Sequence, residues 1–315
     1  MATYCFYGIV GVKTARFMKR KRGIFAIIRA LGGKKMSNKV ISVISVIDYI
    51  EANLTKKLDL EQVAQAVHYS KYHLHRVFRE TIGLSIHEYI VRRKLSEAAK
   101  LLVFSDCSIL DIALLAGYES QQAFSAVFKE MYKKTPYQYR ENEEYYPLQL
   151  RFKLSENPNL NPRDWQAQIQ LARKEDLPLC LELVYQIIDG FPNFQEKEYL
   201  ASIESFIEKK QVLILKEERL LKAMMAFDRS SGNIEFLGVH PQYRKLGIAK
   251  AFLKKLIEEK LTDQTPCITT FRKGDKADTG YRKVWKHMGF AEAELLKEYG
   301  YPTQRMIYLK EGTDE

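Results

Sequence analysis

Residues 60–80 read LEQVAQAVHYSKYHLHRVFRE, and residues 109–130 read ILDIALLAGYESQQAFSAVFKE. The second stretch repeats the first. The spacing is 49 residues before the turn (Leu60 to Ile109) and 50 after it (His75 to Ser125), so the second copy has one extra residue. Each copy reads as a short helix, a turn, and a second helix opened by a serine, Ser70 or Ser120. A serine hydroxyl there accepts a bond from a free amide of the first helical turn. Outward from these stretches, residues from Ser37 to about Tyr139 keep helical periodicity, with turn signals at short intervals. A longer helix from Ser85 to Leu102 joins the two units, which predicts an all-α domain with a doubled helix-turn-helix.

The second helix of each unit divides into two faces. Leu74, Val77 and Phe78 form the inward side of the first, while Tyr72, His75, Arg76 and Arg79 share one outward face at i, i+3, i+4 and i+7. In the second unit Phe124, Val127, Phe128 and Met131 pack, leaving Gln121, Gln122, Ser125 and Lys129 outside. Gln can bond an adenine edge in two places, Arg a guanine edge, and Lys or Arg a phosphate. Any soluble helix also shows Gln, Lys and Arg to water. Duplication of the pattern is what favours double-stranded DNA.

The net charge of +11 adds little to that argument. Residues 1–35 hold nine Lys/Arg and no Asp/Glu, so residues 36–315 carry 41 basic against 39 acidic groups. DNA binding must rest on local faces. An apolar fraction of 46% is that of a folded chain rather than a disordered one. The four cysteines are scattered with no CxxC pair, as expected of reduced thiols. His73 and His75, two apart on a helix, point to different sides, so no metal is expected.

No apolar run reaches the roughly 18 residues of a membrane span. VISVISVIDYI is short and interrupted, and GIFAIIRA (24–31) is too brief for a signal peptide, contains Arg29 and lacks a cleavage pattern. The acid-free head also fits an organellar transit peptide, but a plainer reading is an over-extended gene start. GGKKM at 32–36 is encoded as GGN-GGN-AAR-AAR-ATG, which can contain a GGAGG ribosome-binding site ahead of Met36. Translation is therefore expected to start at Met36, with 1–35 a basic extension that is untranslated or disordered.

The segment from Val40 to Glu141 resembles the AraC/XylS family of bacterial transcription regulators, especially its MarA/Rob-like branch. SKYHLHRVFRE, IHEYIVRRKLSEAAKLL, ILDIALLAGYESQQAFSAVFK and TPYQYR carry the likeness. The resemblance implies two recognition helices entering successive major grooves on one face of a duplex. Tyr72, His75 and Arg76 would then be the first reading set, and Gln121 and Gln122 would lead the second. Arg93 and Lys129 would hold phosphates. Where relatives often carry Arg, this chain has Ala126, so an operator preference does not transfer.

EYYPLQLRFKLSENPNLNPRDW (144–165) breaks the helical pattern with prolines and reads as an interdomain connector. The expected division is an extension at 1–35, a helical domain at 36–143, a linker at 144–165 and a second domain at 166–311. Beyond the linker, strand-like runs IQLA (169–172), VLILK (212–216), LKAMMAF (221–227), IEFLGV (234–239), CITTF (267–271) and RMIYLK (305–310) alternate with helical stretches near 177–188, 198–209, 247–261 and 280–288. This is an α/β (α+β) domain with a central mixed sheet.

Inside it, VHPQYRKLGIAK (239–250) combines Arg244, Lys245 and Lys250 with the near-bare Gly247 and Ala249. Ile248, Phe252 and Leu256 stripe the next helix, which sets Gly247 at its first turn, where free amides and the helix dipole attract an anion. IEFLGVHPQYRKLGIAKAFL resembles the acyl-CoA-binding motif of the GNAT acetyltransferase superfamily, [Q/R]xxGx[G/A]. Arg244, Gly247 and Ala249 fill that motif, and CITTF…VWKHMGF resembles the second landmark. The resemblance implies that the amides of Lys245, Leu246, Gly247, Ile248 and Ala249 hold the CoA pyrophosphate. Leu237 and Val239 would line the pantetheine arm on a splayed strand. Acetyl-CoA is then the cofactor, and a small amine the acceptor.

Direct attack by an amine needs a base and then an acid for the thiolate. Glu235 on the central strand is the base candidate. Trp285 stands where many members carry an acid Tyr, and Tyr281, one turn back, is the substitute. Two readings follow: a cytoplasmic, nucleoid-associated regulator fused to a working N-acetyltransferase, or a non-catalytic regulator whose second domain senses acyl-CoA or another small effector.

Overall fold

The computed structural model describes residues 37–155, 164–187, 196–217, 220–261, 264–298 and 300–309. The reading of residues 1–35 lies outside them. Among the described residues the first half holds seven helices: α1 (Ser37–Glu51), α2 (Leu60–Ala66), α3 (Lys71–Ile82), α4 (Ile86–Phe104), α5 (Ile109–Leu115), α6 (Gln121–Tyr132) and α7 (Pro136–Glu141). The serines act as the sequence predicts: Ser70 Oγ accepts from His73 N at 3.3 Å and Ser120 Oγ from Ala123 N at 3.2 Å. The extra residue of the second unit falls in its turn. There, Gly117 (φ 79°) stands where the first turn has His68 (φ 60°), so both turns use a left-handed residue.

Each unit has its own core. Val43, Ile47, Val63, Leu74, Phe78 and Tyr89 centre the first, and Leu95, Ile112, Phe124, Phe128 and Tyr139 the second. The helix α4 supplies Tyr89 and Ile90 to one and Leu95 and Ala99 to the other, and so welds them together.

The connector differs from the sequence expectation. Its first part is packed, with Tyr146, Leu148, Gln149 and Phe152 buried. Tyr146 and Leu148 enter the second helical core and Phe152 stacks on Tyr89 in the first, so apolar alternation outweighs the loop signal of the flanking prolines.

The second half contains α8 (Trp165–Gln168), β1 (Gln170–Leu171), α9 (Leu177–Ile187), α10 (Glu196–Glu208), β2 (Val212–Glu217), β3 (Leu220–Phe227), β4 (Ile234–Val239), α11 (Ile248–Glu259), β5 (Cys267–Phe271), α12 (Tyr281–His287), β6 (Phe290–Glu298) and β7 (Tyr301–Tyr308). Strands β1–β4 form one antiparallel sheet in chain order, and β5, β7 and β6 a second. The two meet at a parallel bridge between Asn233 and Cys267. One face of the sheets packs on α11 and α12 through Phe252, Leu256 and Trp285; the other packs on α9 and α10 through Leu183, Ile203 and Met224.

Candidate nucleic-acid interface and cofactor site

Burial of one stripe fixes which side chains the recognition helices offer. In α3, Leu74, Val77, Phe78 and Ile82 are buried, and in α6, Phe124, Phe128, Met131 and Tyr132. The outward residues are then geometrically forced. Tyr72 is 81% exposed, Arg76, Arg79, Gln121, Gln122 and Lys129 are exposed, and His75 and Ser125 are half-buried at the rim.

Arg93 is placed otherwise than its sequence position suggested. It is buried, its Nε and Nη2 donating to Glu51 Oε1 and Oε2 at 2.8 Å each, Nη2 also to Glu97 and Nη1 to Gln149 O. The guanidinium is spent on the core. Position on α4, facing α1, decided this.

The cofactor segment begins where the two sheets part. Strands β4 and β5 touch at Asn233 and Cys267 and then belong to different sheets, so among the described residues the β5-facing edge of β4 beyond the bridge has no ladder partner. A register shift opposite Ala226 and Phe227 leaves Glu235 bulged, with Ile234 paired to Phe227 and Phe236 to Ala226. Leu237 and Val239 are half-buried on the α11 side, and Gly238 is buried where a Cβ would strike Ile187 and Phe236.

After β4 the chain makes a tight turn at Pro241–Tyr243 and reaches α11 through Lys245 (φ 64°) and Gly247 (φ 80°). Trp165 Nε1 donates to Leu246 O at 2.9 Å and steadies this loop. Gly247 is the N-cap residue of α11 and makes no side-chain cap bond, so the first-turn amides carry no side-chain cap among the described residues. A Cβ built on Gly247 meets nothing within 4 Å, so the approach is open. The residues present thus fit a pyrophosphate: first-turn amides with no cap among the described residues, an open approach, the dipole of a twelve-residue helix and the exposed Lys245.

Arg244 departs from the expected role as a free charge. Its Nε donates to Val239 O at 3.3 Å and its Nη1 to Ile82 O at 2.9 Å, the end of the first recognition helix. Nothing in local sequence signals that contact.

The acid and base candidates separate. Glu235 is exposed beside the bridge, its Oε1 accepting from Asn233 Nδ2 at 2.8 Å. Cys267, whose Sγ lies 3.6 Å from Asn233 Oδ1, joins that cluster, and burial raises its thiol pKa, with the Glu235 charge adding to the rise. The sequence reading missed Asn233 and Cys267, since only strand pairing brings them together. Tyr281 opens α12 with its ring against the core. Trp285 is 5% exposed and makes an edge contact with Phe290 at 5.0 Å, so it is core rather than a vacant acid position.

This architecture defines a two-part protein, a double helix-turn-helix followed by an acyltransferase-type fold. A helix-turn-helix domain family model matches residues 63–142, and an acetyltransferase (GNAT) domain model matches residues 182–307. The chain belongs to the AraC/XylS family of transcription regulators, in its MarA-like branch, and carries a GNAT domain.

It is 42% identical over 106 residues to the HTH-type transcriptional activator AarP of Providencia stuartii, covering 34% of this chain and 77% of that protein. With the multiple antibiotic resistance protein MarA of Escherichia coli K12 it shares 39% over 106 residues, covering 34% of this chain and 84% of that one. With the uncharacterized HTH-type transcriptional regulator YbfP of Bacillus subtilis 168 it shares 40% over 94 residues, which is 30% of this chain and 32% of YbfP. The chain thus spans about a third of the length of that relative.

Proposed function

We propose that this protein binds a specific DNA operator through α3 and α6 and transfers an acetyl group from acetyl-CoA to a small amine in its second domain. We place it in the bacterial cytoplasm, at the nucleoid. The first part rests on paired, outward reading faces; Tyr72, His75, Arg76 and Arg79 lead one, Gln121, Gln122, Ser125 and Lys129 the other. The second rests chiefly on the uncapped, open N-terminus of α11 at Gly247. Acetyl-CoA, when bound, supplies an activated thioester. The amides of residues 245–249 orient its pyrophosphate, and Leu237 and Val239 flank its arm. Glu235, held by Asn233, accepts the amine proton. Tyr281 is the candidate proton donor.

Calorimetry with acetyl-CoA, followed by CoA-thiol release over a panel of amines, tests the enzyme. Footprinting on genomic fragments tests the operator. Binding without turnover on any amine would favour a second reading, a non-catalytic sensor of acyl-CoA or another small effector. The burial of Trp285 supports that reading, because the position that often supplies the acid faces the core.

A further inference from the structure

The second domain grips both recognition helices by their C-terminal ends, using two different loops. Arg244, in the loop after β4, donates to Ile82 O at the last residue of α3 at 2.9 Å. The adjoining Gly83 is the left-handed C-cap of α3, and a Cβ there would lie 3.3 Å from Arg244 Nη1. The other grip is the loop after β5. Asp275 Oδ1 pairs with Lys133 Nζ, the C-cap residue of α6, at 2.9 Å, and is itself steadied by Tyr301 Oη on its other oxygen at 3.0 Å. Ala277 O accepts from the buried Arg92 of α4 at 2.6 Å, and Lys276 faces Glu130 of α6 at 3.9 Å.

The strands leading to these loops run parallel from their bridge at Asn233 and Cys267 and then belong to separate sheets. One recognition helix is therefore fastened to the far end of β4 and the other to the far end of β5. Whatever enters between β4 and β5 acts on the spacing of the two reading helices. Operator binding needs that spacing fixed, because each helix must meet its own major groove about 34 Å apart along the duplex.

We infer that acyl-CoA is a negative effector of operator binding: its insertion between β4 and β5, with its pyrophosphate beside Arg244, weakens the hold on α3 and shifts the helices out of register. This rests on the reading of residues 245–249 as the pyrophosphate cradle. The direction follows from bond strength. A guanidinium bond to phosphate is charge-assisted and stronger than one to the neutral carbonyl of Ile82, so the ligand competes for Arg244. Both grips are closed and both reading faces are open, the arrangement assigned to DNA binding. Linkage makes the effect reciprocal, so DNA must weaken acyl-CoA binding by the same factor.

The experiment uses the full chain, CoA itself (which has no acetyl group to transfer) and a duplex enriched by the protein from a random library. Calorimetry first measures CoA binding alone. Fluorescence anisotropy then measures duplex Kd with and without saturating CoA at fixed salt. A rise in Kd of about tenfold is expected, with a matching loss of CoA affinity when the duplex is saturating. Adenosine 3′,5′-bisphosphate, charged but lacking both the pyrophosphate and the arm, should move Kd less than twofold.

Lys133→Asn, a residue type that tolerates the left-handed backbone, should leave CoA affinity unchanged and cut the coupling below threefold. Unchanged or tighter duplex binding with CoA bound overturns the inference, as does equal displacement by the bisphosphate or full coupling in Lys133→Asn. Absence of CoA binding overturns the cradle reading itself, and this inference with it.

Discussion

Arg93 and Glu51 form a two-pronged ion pair, with Arg93 Nε and Nη2 each 2.8 Å from a carboxylate oxygen and both side chains nearly removed from solvent. Tyr89 Oη adds a third bond to the same carboxylate at 2.8 Å. The pair ties α4 to α1. Removing Glu51 leaves the buried Arg93 with Glu97 as its remaining carboxylate partner, which costs up to about 3–5 kcal/mol. Glu51→Ala should lower the urea midpoint accordingly. Because the Arg93 guanidinium is buried against Glu51 and Glu97, the salt dependence of duplex binding by folded Arg93→Met should keep the wild-type slope.

The reading faces predict a different signature. Arg76→Ala combined with Gln121→Ala should cost about 2–6 kcal/mol of specific affinity, one bidentate base contact for each side chain, with Tm unchanged because both residues are exposed. Lys129→Ala should weaken all sequences alike and reduce the slope of log K against log salt by about 1. Anisotropy titrations at several salt concentrations separate the two effects.

Gly247 combines a left-handed backbone with open space around its Cα. Gly247→Ala should therefore cost only the backbone strain, about 1–2 kcal/mol, and retain acyl-CoA binding at reduced affinity. Gly247→Glu sets a carboxylate where the anion docks and should abolish binding in calorimetry, with duplex affinity in the absence of CoA retained.

His240 is buried, and burial, with the Arg244 charge beside it, pushes its imidazole down to about 4. The unfolded chain, near 6.5, binds a proton that the native state refuses between those values. Stability is thus fully present above the unfolded pKa and is lost as pH falls from about 6.5 towards 4, by about 3 kcal/mol in total. Urea midpoints between pH 7 and 4.5 should fall more steeply for wild type than for His240→Gln. Parallel curves would exclude the assignment.

Trp285 fills the core between α12 and β6, in edge contact with Phe290. Trp285→Ala should cost about 3–5 kcal/mol by opening a cavity, seen as a lower denaturation midpoint of the second domain. Trp285→Tyr should leave the pH profile of any turnover in place, since a buried side chain there meets no thiolate.

The sequence made the helical half legible because its signals are local and repeated. Serine caps and an i, i+4 apolar stripe specify each unit without distant help, and duplication ruled out coincidence. Strands β2, β3, β4, β5 and β7 were readable from apolar runs. Strand β6 was not: FAEAELLKE has helix-forming composition and alternates with charge. It is an edge strand, made by pairing to β7 with a register shift between Glu292 and Leu295, so tertiary pairing overrode local preference. The connector misled in the opposite sense, because its prolines outshone the buried alternation of Tyr146, Leu148 and Phe152.

By itself, then, the sequence determined two domains, their fold classes, the outward faces of α3 and α6, and the glycine at the head of α11. Periodicity and backbone freedom are properties of short segments. Tertiary structure alone decided that Arg93 serves the core, that Asn233 and Cys267 stand beside Glu235, that Trp285 is packed away, and that Arg244 ends on Ile82. Each of those depends on which distant segments meet, and a side chain's charge does not specify the partner that packing will bring within 3 Å of it.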